Sequence, residues 1–116
     1  MDIQLIRELV NQLSSGEKVV LATICRTKGS TPQKSGAAMV IRQDGNIVGT
    51  IGGGCAEAEV RREALSLMVE GQSRIYKLDL TNEAAAEEGM VCGGVMDVFL
   101  ELITMKSAEN PAYSTL

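Results

Sequence analysis

Apolar positions along the chain follow two spacings, and each change between them marks an element. Ile3, Ile6, Val10 and Leu13, with Leu5 and Leu9 beside them, recur at helical spacing. Ser14, Ser15 and Gly16 stop that helix. Val19 to Ala22, then Thr23 and Ile24, form a nearly unbroken apolar run within residues 18–25. It is too short for a second helix and predicts a buried central strand. A polar loop over residues 26–36 follows. Residues 37–41 and 47–51 predict two strands joined by Asp44 and Gly45, a strong short hairpin signal. The spacing predicts a helix over residues 55–70, with Val60, Ala64, Leu67 and Met68 on one face and an outward pair of Glu57 and Arg61. Gly71 is its stop. Residues 74–80 alternate, with Tyr76, Leu78 and Leu80 on one side, and predict a half-exposed strand. Thr81 suits the cap of a short acidic helix running to Glu88. A last strand covers residues 95–103. This order predicts an α/β domain: a mixed β-sheet of about five strands covered by two main helices.

The length of 116 residues fits a single domain. The reading places it over residues 1–103, with a C-terminal tail over 104–116 and no second domain. No apolar run approaches the roughly 20 residues that span a bilayer, and Met1 and Asp2 open no signal-peptide pattern. The expectation is a soluble, cytoplasmic domain with no membrane partner. The chain has no histidine, which excludes Ser-His-Asp and Cys-His triads and H-E-x-x-H zinc sites built from it alone. Aromatic residues are 3% of the chain, too few for a base-stacking nucleic-acid platform. The net charge of −4 hides a local basic segment: Lys18, Arg26, Lys28, Lys34 and Arg42 lie within residues 18–43 without one acid. Such a segment suits a small anion, or simply decorates strand edges and loops.

Cys25, Cys55 and Cys92 are odd in number and widely spaced, against both a zinc site and a disulfide framework. Cys25 ends an apolar run and reads as a small core residue. The other two sit in glycine clusters, Gly52-Gly53-Gly54-Cys55 and Cys92-Gly93-Gly94. The first lies where a strand passes into a helix. Glycine there lets a ligand approach the backbone amides, and the helix start offers unpaired N–H groups and partial positive charge. The same helix end lowers the pKa of a thiol, which makes Cys55 a candidate thiolate. Glu57 favours that helix end electrostatically, or orients a ligand amine. The string is neither a dinucleotide fingerprint, whose third glycine position holds Glu57, nor a Walker A loop. Tight packing of glycines and small buried cysteines accounts for the same residues without a ligand.

Three segments in order, with Gly36-Ala37 between the first two, carry a resemblance: Lys28-Gly29-Ser30-Thr31-Pro32, then residues 48–57 (VGTIGGGCAE), then residues 89–94 (GMVCGG). Together they resemble the N-terminal domain of the XdhC/CoxI family of accessory proteins for molybdenum hydroxylases. The resemblance implies binding of molybdenum cofactor, support of its sulfuration, and delivery to an apoenzyme such as xanthine or carbon monoxide dehydrogenase. It implies a cofactor site at Lys28, Ser30, Thr31, Gly52, Gly53, Gly54, Cys55, Glu57, Cys92, Gly93 and Gly94, with Cys55 and Cys92 as possible molybdenum contacts. A cysteine desulfurase is an implied partner. Larger members carry a second, Rossmann-like domain.

On this reading the chain is a cofactor-binding maturation factor with no turnover of its own. The alternatives are a thiol-dependent sulfur-transfer enzyme, and a homo-oligomeric interaction module whose glycines serve packing. Two expectations are structural. The two glycine–cysteine loops lie together at one end of the sheet, and the domain self-associates.

Overall fold

The computed structural model describes residues 2–81 and 93–105. Helix α1 (Ile3–Ser14) starts on Asp2, whose carboxylate accepts the Leu5 N–H at 2.9 Å. Strand β1 (Val19–Gly29) follows, then β2 (Ala38–Arg42) and β3 (Ile47–Gly49). Helix α2 (Gly54–Glu70) ends at Gly71, whose N–H donates to the Leu67 carbonyl at 2.7 Å. Strands β4 (Arg74–Asp79) and β5 (Gly94–Ile103) complete the fold. The short helix expected after Thr81 lies outside the described residues.

The five strands form one sheet in the order β3-β2-β1-β5-β4, and every neighbouring pair is antiparallel. The five strands and two helices stand as expected; the mixed sheet does not. Connection α2 carries the chain from one edge of the sheet to the other. It leaves β3 and β4 running the same way, but β1, β2 and β5 lie between them, so no parallel ladder forms. The hairpin turn is as expected, with Asn46 N–H on the Asp44 carboxylate at 2.9 Å and Gly45 N–H on the Arg42 carbonyl at 2.9 Å.

The helices cover opposite faces. Under α2, Val60, Ala64 and Leu67 pack with Val20, Ala22, Ile24, Met39, Ile41, Met96, Val98 and Leu100, all essentially inaccessible. Under α1, Leu5 meets Val19, Leu21, Ala38, Val40 and Ile103. Strand β1 is buried on both faces at its start, which explains its unbroken apolar run.

Strand β1 extends four residues beyond Cys25, through what the sequence marks as loop. The extension contains a β-bulge: Ile24 pairs with Val98, but Arg26 pairs with Asp97. The extra residue is Cys25. It is exposed, with Sγ 3.3 Å from the Asp97 carbonyl oxygen, and not the core residue expected.

Edge strand β4 is tied to α2 by polar contacts. The Tyr76 hydroxyl donates to Glu59, and Arg74 pairs with Glu63 at 2.7 Å and with Glu70. Burial first, then the bond to Glu59 and its charge, push the Tyr76 phenol from 10.0 up to about 12. An acid whose pKa is raised by folding holds its stabilising contribution below its unfolded value. Stability is therefore expected to fall as pH rises from 10 towards 12. Phenolate absorbance in a Tyr113→Phe background checks this: Tyr76 should titrate late, and Glu59→Gln should bring it back towards the ordinary range.

Candidate functional site

Strand directions put several connections at one end of the sheet: residues 30–37 after β1, residues 50–53 after β3, and the approach to β5 at Gly93. The two glycine clusters therefore share that end, as expected, for Gly52, Gly53, Gly54, Gly93 and Gly94. Cys92 lies outside the described residues. Cys55 is the second residue of α2, at the helix start the sequence suggested.

The segment after β1 is wedged between the two clusters. A Cβ on Gly52 would stand 2.5 Å from Pro32 Cγ, in a backbone with φ of 139°. A Cβ on Gly94 would press on the Ser30 carbonyl oxygen and stand 2.7 Å from Thr31 Cγ2. A Cβ on Gly29 would stand 2.8 Å from the Gly93 carbonyl oxygen. These three glycines are thus packing positions, where only a missing side chain lets the loops touch. Gly54 and Gly93 differ: among the described residues nothing lies within 4 Å of the place a Cβ would take, which leaves their backbone open to an approaching group.

Glu57 has a sharper role than helix-end electrostatics. Its Oε2 accepts the Gly53 N–H at 2.5 Å and the Thr50 hydroxyl, while Thr50 Oγ1 accepts the Gly52 N–H at 3.1 Å. One carboxylate thus closes the glycine turn and occupies its first free amide. An anion at this helix start would be left the amides beyond Gly53 and would meet the Glu57 charge. A ligand amine would meet a carboxylate already held in place. Thr50 was not singled out by the sequence as a site residue; its place seven residues before Glu57, across a glycine turn, is the signal that finds it.

Ser30 is exposed, and the Thr31 hydroxyl donates to the Gln33 carbonyl at 2.8 Å, which fixes the turn. Lys28 lies on the opposite face of the sheet from α2, in register with Val95. With Arg26, Thr27, Lys77, Val95 and Asp97 it lines a shallow cavity of about 180 Å³. Arg26 and Lys77 are cations that the sequence does not assign to this end; the bulge at Cys25 turns Arg26 onto that face. Asp97 sits between them, 4.0 Å from Arg26 Nε. A second cavity of about 310 Å³ lies between the start of α1 and the loop end, lined by Asp2, Leu5, Gly36, Ala37, Ala38, Gly49 and Thr50. Among the described residues no cluster of side chains could ligate a metal, and no helix is long and apolar enough to cross a membrane.

The model of the XdhC and CoxI family matches residues 12–79, more than half of the chain and all of the elements from the end of α1 to β4. The chain belongs to the XdhC and CoxI family. Among curated members, it is similar to the uncharacterized protein YqeB of Escherichia coli K12, 41% identical over 86 residues, which are 74% of this chain and 16% of that protein. It is also similar to the molybdenum cofactor insertion chaperone PaoD of the same organism, 40% identical over 70 residues, 60% of this chain and 22% of that one. A crystal structure of a xanthine dehydrogenase from Bacillus halodurans superposes with a TM-score of 0.74 at 33% identity, over 86% of this chain and 31% of that one. The chain thus spans less than a third of each of these relatives. The matched part of that structure shares this fold.

Proposed function

We propose that the loop end of the sheet binds molybdenum cofactor, and that the chain acts as an accessory factor in maturing a molybdenum hydroxylase. It holds the cofactor, supports its sulfuration, and passes it to an apoenzyme of the xanthine or carbon monoxide dehydrogenase kind. The observation that carries this reading is the meeting of Ser30–Pro32 with Gly52 and Gly94, which brings three family segments to one place. Similarity to a protein named as a molybdenum cofactor insertion chaperone supports it.

The residues suit the cargo. Molybdenum cofactor is an anionic pterin with a phosphate, a dithiolene and a metal-oxo centre. Ser30 and the open backbone at Gly54 and Gly93 suit its phosphate, while Lys28 stands on the face away from the α2 start. The Glu57 carboxylate suits the amine edge of a pterin. Thiolate is a soft ligand, so Cys55 and Cys92 are the residues to touch molybdenum or relay sulfur. The cargo supplies the redox centre of the client enzyme; the chain's own residues bind and orient it, with sulfur drawn from a cysteine desulfurase.

The test is cofactor retention after expression in cells that make the cofactor, read as oxidised pterin fluorescence. Wild type should retain pterin, and Cys55→Ser should retain about tenfold less, the equivalent of one lost charged contact. Empty wild-type protein would sink the binding reading. Equal retention by wild type, Cys55→Ser and Cys92→Ser would remove the cysteines as ligands.

A further inference from the structure

The sheet face under α1 is only half covered by described residues. Helix α1 lies over β1, β2 and β3 and reaches β5 only at Ile103, and no described element lies over β4 or over the rest of β5 on that side. Register and alternation place Ile75, Lys77 and Asp79 of β4 there, beside Asp97, Phe99 and Glu101 of β5. Ile103, packed under α1, fixes which face this is. At its centre Ile75 and Phe99 are cross-strand partners, 66% and 39% exposed. One row towards the loop end, Lys77 partners Asp97. An exposed aliphatic–aromatic pair at the middle of a sheet face is surface that water disfavours.

We propose that a second copy of this chain covers this face, the two β4–β5 halves packing against each other about a two-fold axis parallel to the strands. Shape is the first argument. The covered half stands higher by one helix, about 10 Å across, and stacked sheets pack about 10 Å apart. Each copy is therefore a step beside a ledge of matching height. This axis seats ledge on ledge and puts each α1 beyond the β4 edge of the other copy. A two-fold perpendicular to the strands would set α1 against α1 and hold the sheets apart.

The second argument is chemical. The axis exchanges β4 with β5 and keeps the rows, so Ile75 of one protomer lies over Phe99 of the other, and Lys77 over Asp97, each contact made twice. The β4–β5 face holds Lys77 against Asp79, Asp97 and Glu101, and Arg26 and Lys28 stand at its rim on β1, so ledge and rim together balance. With the rim cations offsetting the acids of the ledge, two chains of net charge −4 repel less through this side than elsewhere. Lys77 on the open edge of β4 also disfavours strand addition alongside, which leaves contact through the face. Two strands of about six residues bury far less than the ~800 Å² per partner of a standard interface, so the dimer is weak. It sets both loop ends at the same end of the pair.

Sedimentation equilibrium tests this. The average mass of the wild type should rise with concentration from 12.4 kDa towards twice that value. Ile75→Glu should keep it at the monomer mass. Lys77→Asp, which sets acid over acid, should weaken dimerisation about tenfold. Adding Asp97→Lys to Lys77→Asp should restore it. Ile75 and Lys77 are exposed, so these variants keep the fold, and a urea midpoint near wild type verifies it. A wild type that stays at the monomer mass up to about 1 mM overturns the proposal. So does a dimer that neither Ile75→Glu nor Lys77→Asp weakens.

Discussion

Replacing Gly94 with alanine should lower stability by about 3 kcal/mol, the upper range for overpacking. Gly94 opens β5 and is in register with Gly29 at the end of β1. A methyl group there meets the Ser30 carbonyl oxygen, Thr31 Cγ2 at 2.7 Å and the Ser30 carbonyl carbon at 2.8 Å. Two of these are backbone atoms of a turn pinned by the Thr31 hydroxyl, so they cannot swing aside as a side-chain tip would. The strain is steric, because the backbone at Gly94 is not left-handed. Gly93→Ala isolates the other effect. It meets no described neighbour but sits at φ 75°, and should lose only about 1–2 kcal/mol. Urea unfolding of both variants decides the matter; equal losses would mean that the contact with Ser30 is not tight.

Leu67→Ala should also lose about 3 kcal/mol, as a fully enclosed leucine replaced without collapse of its surroundings does. Leu67 is 0% exposed on the sheet side of α2, and Val69, two residues on, is 89% exposed. Val69→Ala should therefore stay within about 0.5 kcal/mol of wild type. The pair separates core packing from helix propensity, since both changes put alanine into the same turn. The loss at Leu67 loosens the helix whose first turn carries Cys55 and Glu57, so cofactor retention should fall with stability in that variant alone.

The elements were legible because their spacing is regular: Val60, Ala64 and Leu67 do face the sheet, and the alternation of Tyr76 and Leu78 does mark β4. The antiparallel sheet was not. A long helix between two strands is compatible with a parallel crossover as well as with this path, and nothing local says that α2 travels from edge to edge. Cys25 was misplaced for a different reason. A bulge adds one residue to one strand, and period-two reading has no register partner against which to detect it. At the loop end, the glycine clusters announced the place. The closure of Glu57 onto Gly53 and Thr50, and the wedge of Pro32 against Gly52, depend on contacts that glycine spacing alone does not specify.

The position of β1 has a kinetic consequence. Its pairing with β2 closes a short local loop, but its other neighbour is β5, whose paired residues lie 65 to 84 positions away along the chain. Contacts that distant form late, because the chain entropy of closing the loop is lost before the contact stabilises anything. During synthesis β1, buried on both faces at its start, therefore waits, one edge bare, until the ribosome has released residue 103. The α1, β1–β3 and α2 segments can gather first, and β5 then inserts between β1 and β4 as the closing step. Aggregation during expression is most acute in that interval.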